Sequence, residues 1–221
     1  MLAFGLAGPG LLPAAAAQNQ AAPAPTVLVV GDSLSAEYGL ARGSGWVSLL
    51  ERRLATEKIA ASVVNASISG DTTSGGRSRL PPLLKQHHPS IVIVELGAND
   101  ALRGLPLAMT QSNLTEMTRA AKAAGAKVLL VGMQLPPNYG RVYGEQFAGL
   151  FSEVAKAEGA ALVPFLLAGV ADSPDAATLF QADHIHPTAA AHPRMLENVW
   201  AGLKPLLPSA SAKAAGAAKS R

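Results

Sequence analysis

Thr26-Val27-Leu28-Val29-Val30-Gly31-Asp32-Ser33-Leu34-Ser35 passes in ten residues from an unbroken run of strand-forming side chains to a glycine, an acid and two hydroxyls. An apolar run without polar alternation suits a strand buried on both faces, as in a parallel sheet. The same rhythm of apolar run, turn and helical pattern recurs along the chain, with further runs at 62–65, 91–95, 127–131 and 161–163. Helical patterns over 45–58, 73–86, 107–124 and 142–158 supply the crossovers that parallel strands require, and 188–203 reads as a closing helix. Residues 26–207 are therefore expected to form one α/β domain. Its architecture is a three-layer α/β/α sandwich around a five-stranded parallel sheet in the flavodoxin-like order 2-1-3-4-5. In such sheets reactive groups gather beyond the carboxyl ends of the strands, so the turn at 31–35 is where chemistry is sought first.

Composition narrows the function classes. Of 221 residues 49% are hydrophobic and 15% charged, which suits a packed core and excludes a disordered chain. Absence of cysteine excludes disulfide scaffolds, iron–sulfur clusters, thiol catalysis and cysteine-based zinc sites. The net charge of +3 sits in Lys213, Lys219 and Arg221; setting these aside leaves fifteen Lys and Arg against fifteen Asp and Glu. A neutral body carries no electrostatic footprint for phosphate backbones, and nucleic acid is not an expected partner.

The two ends read differently from the body. Residues 1–25 hold no charged side chain, and the apolar stretch from Leu2 to Leu12 is followed by Ala14-Ala15-Ala16-Ala17-Gln18. This reads as an export signal, residues 1–17, cleaved before Gln18 and followed by a linker at 18–25, although no Lys or Arg precedes the apolar run. A plain Ala/Pro leader is the alternative. The stretch is too short and too rich in Gly and Pro for a membrane span, and a periplasmic location is expected. Residues 208–221 are Ala, Ser, Gly and Lys, and a disordered basic tail is expected there.

Four short segments at strand ends carry candidate chemistry. Ser33, at the tip of a central strand, is placed as a nucleophile, though Asp32 and Ser33 are also ordinary turn and helix-cap residues. Ser69-Gly70-Asp71 and Gly97-Ala98-Asn99-Asp100 follow the second and third runs. Gly70 would let a backbone N–H approach a ligand closely, and Asn99 could present an amide donor. Asp183-His184-Ile185-His186-Pro187 puts a carboxylate three residues before an imidazole on one tight loop. A serine hydroxyl needs a base whose other ring nitrogen is held by an acceptor, which makes His186 the base and Asp183 its orienter. Two alternatives stand beside this: an Asp cap with surface histidines, and a metal site built from Asp183, His184 and His186, for which the crevice lacks a further ligand.

In order and spacing these four segments resemble the sequence blocks of the GDSL, or SGNH, hydrolase family, and the match spans nearly the whole body. Residues 33–39 and 134–140 are similar to the bacterial periplasmic arylesterase and thioesterase I branch. The resemblance implies a cofactor-free serine esterase or thioesterase acting on small acyl substrates through an acyl-enzyme. It also implies a triad of Ser33, Asp183 and His186, with an oxyanion hole from the Ser33 and Gly70 N–H groups and the Asn99 amide. The family usually has a small residue where His184 stands, and His184 is read as exposed.

Asp32 and Asp100 are expected to bond loop N–H groups that hold Ser33 and Asn99. Leu102, Leu105, Pro106, Pro137, Tyr139 and Tyr143 are candidates for an acyl groove, with plain surface loops as the alternative for both stretches. His87 and His88, before Pro89, suit a solvated helix end, and His192 has no evident partner. The rival reading is a non-enzymatic flavodoxin-like module whose 31–35 and 69–76 turns cradle a phosphate; no glycine-rich nucleotide motif follows a strand, and it leaves Asp183 and His186 unused.

Overall fold

β1 (Thr26–Gly31), β2 (Ser62–Asn65), β3 (Ile91–Glu95), β4 (Lys127–Val131) and β5 (Ala161–Val163) form one parallel sheet in the order β2-β1-β3-β4-β5. This computed structural model describes residues 24–208; the leader, most of the 18–25 linker and the basic tail after Pro208 lie outside the described residues. Strand bounds and order agree with the reading of the apolar runs. The central strands owe their unbroken hydrophobicity to burial on two faces. Val27, Val29, Ile91, Ile93, Leu129 and Val131 point to one side, and Leu28, Val30, Val92, Val94, Val128 and Leu130 to the other.

On the first side α1 (Trp46–Thr56) and α7 (His192–Leu203) cover the sheet with Trp46, Leu50, Met195, Val199 and Trp200. On the second, α2 (Thr73–His87), α4 (Leu107–Ala123) and α5 (Arg141–Glu158) contribute Leu80, Leu114, Met117, Phe147 and Phe151. The last two rings lie one helical turn apart and meet edge to face, with centroids 5.4 Å apart. Each such buried side chain contributes about 1.5–3 kcal/mol of transfer free energy. Among the described residues no helix is long and apolar enough to cross a membrane.

The closing helix differs from its expected bounds. Residues 189–191 form a single 3-10 turn, and α7 begins only at His192. Pro193 explains the offset, because a residue without an N–H fits the first turn of a helix and not its interior. His88 ends α2 in a left-handed conformation (φ 43°), exposed to solvent, as a helix-terminal residue.

Candidate active site

The chain leaves β1 into a tight turn whose N–H groups are almost all spent inside the protein. Asp32 N–H donates to Glu95 Oε2 (3.3 Å) and Leu34 N–H to Asp32 Oδ1 (3.0 Å), while the N–H groups of Ser35 and Ala36 both reach the Asp32 carbonyl. Ser33 N–H makes no hydrogen bond to any described residue. Ser35 is buried, and its hydroxyl is committed to Glu95 Oε2 at 2.7 Å. Of the two hydroxyls in the motif, only that of Ser33 faces an open cavity.

The loop before α7 supplies the partner. Asp183 Oδ1 accepts from the N–H groups of Ile185 and His186, both at 3.0 Å, closing a turn on its own side chain. Its Oδ2 then lies 2.7 Å from His186 Nδ1, and His186 Nε2 lies 2.9 Å from Ser33 Oγ. Bonds from the His186 backbone and ring, then from the Ile185 N–H, hold the Asp183 carboxyl well below the usual carboxylate range. An ionised carboxylate only accepts, so Nδ1 carries the ring proton and Nε2 is left to accept the Ser33 hydroxyl. Both ring nitrogens of His186 are thus engaged. His184 makes no bond to Ser33 or Asp183; it sits exposed on the cavity rim with φ 56°, the left-handed region that small residues tolerate best.

Asn99, in α3 (Ala98–Leu102) after β3, lines the same cavity as Ser33 and His186. Its amide donates to Asp32 Oδ2 (3.1 Å) and to the Asp71 carbonyl (3.0 Å), tying the turns after β1, β2 and β3 together. Gly70 precedes that carbonyl, adopts φ 78° and has an N–H without an acceptor among the described residues. Asp100 acts differently from expectation. It is fully buried and accepts from Thr73 N–H (2.9 Å) and from the Thr73 hydroxyl, so it anchors the start of α2 and fixes the Gly70 loop rather than Asn99 directly.

One acid in this layer was not anticipated from the sequence. Glu95, the last residue of β3, is 2% exposed beside Asp32. Burial, then the neighbouring Asp32 carboxylate, push its carboxyl well up, which favours its protonated form. Burial pushes Asp32 up to about 6, against the bonds from Leu34 N–H, Glu95 and Asn99.

Ser33 opens into a cavity of about 510 Å³ whose wall is mostly apolar. Of the expected groove residues, Leu102 and Pro137 line it. Leu105, Pro106, Tyr139 and Tyr143 do not: Pro106 caps α4, Tyr139 stands in an exposed 3-10 turn, and Tyr143 points its hydroxyl to the Ala101 carbonyl (3.4 Å). Met133, Leu135, Phe165, Leu167, Phe180 and Ile185 supply the wall instead, from the segments after β4 and β5.

Residues 29–194 match the model of the GDSL-like lipase/acylhydrolase family. The chain belongs to that family. Esterase TesA of Pseudomonas aeruginosa is 56% identical over 189 residues, 86% of this chain and 92% of the relative. The thioesterase 1/protease 1/lysophospholipase L1 of Escherichia coli K12 is 43% identical over 188 residues, 85% of this chain and 88% of that one. The crystal structure of the psychrotrophic esterase EstA from Pseudoalteromonas, inhibited by monoethylphosphonate, aligns with a TM-score of 0.76 and 39% identity. It covers 81% of this chain and 97% of that one. GDSL-family membership sets aside the phosphate-binding module.

His192 lies outside the cavity. It is 2% exposed and far from partnerless, because its Nδ1 accepts the Trp46 N–H at 2.9 Å.

Proposed function

We propose that the chain is a serine hydrolase of carboxylic esters in which Ser33 is the nucleophile, His186 the general base and Asp183 its orienter. The reading rests on one observation: an unbroken relay from Asp183 through His186 to Ser33, with both links under 3 Å, ends in an apolar cavity. In the attacking step Ser33 Oγ bonds to the acyl carbon while its proton passes to His186 Nε2 and the carbonyl electron pair moves to oxygen. Collapse breaks the bond to the leaving group, which takes the Nε2 proton, and water repeats the sequence on the acyl-enzyme. The uncommitted N–H groups of Ser33 and Gly70 serve as oxyanion donors, joined by the Asn99 amide, which shares a hydrogen it otherwise gives to Asp32 or Asp71.

Acyl esters and thioesters are the substrate class. The apolar wall after β4 and β5 accommodates an acyl chain, and the relatives are named esterase and thioesterase 1/lysophospholipase L1. Export to the periplasm rests on the sequence of residues 1–17 alone. A fluorophosphonate probe tests the mechanism. Wild type and Ser35→Ala should be labelled and Ser33→Ala should not, while remaining folded; labelling that survives in Ser33→Ala would remove the nucleophile.

A further inference from the structure

Tyr38 is 49% exposed, does not line the cavity, and stacks on His186 with ring centroids 4.3 Å apart and planes tilted by 36°. A large aromatic ring left half in water usually has little holding it. This one is held from several directions. Tyr38 N–H donates to the Ser33 carbonyl (3.3 Å), so the ring is carried on the turn that bears Ser33. Gln181 Nε2 donates both to the Tyr38 carbonyl (2.9 Å) and to the Pro187 carbonyl (3.0 Å), and Gln181 N–H donates to the His186 carbonyl (2.7 Å). One side chain therefore clamps the Tyr38 loop to the loop that carries His186.

The preceding residue shows the same purpose. Glu37 adopts φ 58°, unusual for a side chain of its size, and its carboxylate gathers the N–H groups of Gly43 (2.9 Å) and Gly45 (2.7 Å) and the Ser48 hydroxyl (2.9 Å). Those bonds outweigh the cost of burial and hold its carboxyl below the ordinary glutamate value. Gly39, at φ 71°, leaves room for the Gln181 amide, which a Cβ there would strike. Strained backbone and a two-loop clamp converge on one exposed ring over one imidazole.

From this geometry we infer that Tyr38 is a positioning residue for His186. The inference rests on the reading of His186 as general base. The ring covers one imidazole face, which limits rotation out of the line from Asp183 to Ser33, and its negative π face favours the imidazolium present while Nε2 holds the Ser33 proton. Because that charge exists only along the reaction, and because Tyr38 lies outside the cavity wall, its contribution falls on kcat and not on KM.

Steady-state hydrolysis of p-nitrophenyl butyrate by Tyr38→Phe and Tyr38→Leu tests this, with thermal melts and the rate of fluorophosphonate labelling of Ser33 measured beside it. Tyr38→Phe keeps the ring and should stay within about twofold of wild type. Tyr38→Leu keeps apolar cover without a π face and should lose about 3- to 30-fold in kcat at unchanged KM, the span of cation–ring attraction between exposed and desolvated sites. Labelling should slow by a similar factor, with no change in melting temperature. Wild-type kcat in Tyr38→Leu, equal losses in both variants, or a loss confined to KM would each overturn the assignment. Wild-type protein that resists labelling would instead strike the base reading itself, and Tyr38 would fall with it.

Discussion

Lowering the pH from 7 to 4 should load a strain onto the contact between α1 and α7, and His192 is where it enters. α1 starts after Gly45, which has no side chain to cap it, and the Trp46 N–H is satisfied by His192 Nδ1 from the first position of α7. That acceptor exists only in the neutral ring. Protonation would set N–H against N–H and place a charge in a site 2% exposed, so burial pushes His192 down to about 4 from an ordinary 6.5. Between these values the unfolded chain binds a proton that the folded chain refuses. The associated stability is complete above pH 6.5 and is lost as pH falls towards 4, amounting to about 3 kcal/mol at 1.36 kcal/mol per unit. Asp32 works the other way. Its carboxyl is pushed up to about 6 from 3.8 and that of Glu95 beside it is pushed up as well, so the folded state gains stability from this pair as pH falls through the same window, and wild-type protein alone does not isolate the His192 contribution. The informative quantity is therefore the difference between wild type and His192→Asn, whose amide oxygen retains an acceptor near Nδ1 and does not titrate. Urea unfolding followed by fluorescence of the two buried tryptophans, Trp46 and Trp200, measures it. His192→Asn should be the less stable protein at pH 7, through lost packing, and should gain about 3 kcal/mol on wild type by pH 4. A difference that stays constant within about 0.5 kcal/mol across that range, well below the linkage term, refutes the reasoning.

Two further outcomes concern the cavity. Asn99→Ala should lose about 100-fold in kcat with KM nearly unchanged, the lower end for a single oxyanion donor, because the amide hydrogens are already shared with Asp32 and Asp71; parallel melts separate this from loss of folded protein. His184→Gly relieves a left-handed residue and should retain most activity, whereas His186→Ala should lose at least about 10³-fold, and kinetics showing the reverse order would displace the relay.

What could be read from the sequence follows from how far apart the partners lie. Parallel strands announce themselves locally, since β1, β3 and β4 are buried on both faces over 27–30, 91–94 and 128–131 and are apolar there. Asp183 and His186 could be paired because they lie three positions apart on one loop. His192 could not, because Trp46 lies 146 positions away and nothing local marks a buried imidazole as a helix cap. The cavity wall failed for the same reason. Tyr139 and Tyr143 follow a strand end and look like lining, but the turn of α5 aims Tyr143 at Ala101, and Phe165 and Phe180 arrive from beyond β5.

Glu95 is the hardest case, since an acid closing an apolar run reads as an ordinary boundary. Its site asks for two acceptors, for the Ser35 hydroxyl and the Asp32 N–H, and for one donor towards the Asp32 carboxylate. A protonated carboxyl meets that set completely. Leucine would strand the Ser35 hydroxyl and the Asp32 N–H in a site 2% exposed, and glutamine would leave one amide hydrogen without an acceptor. Burial pushes both carboxyls up, which disfavours two charges side by side in this site. The bonds from Asp32 N–H and the Ser35 hydroxyl to Glu95 tie down the turn that leaves Ser33 N–H uncommitted and Ser33 Oγ 2.9 Å from His186 Nε2. The turn that presents Ser33 is in this sense anchored by a residue sixty-two positions downstream that does not line the cavity.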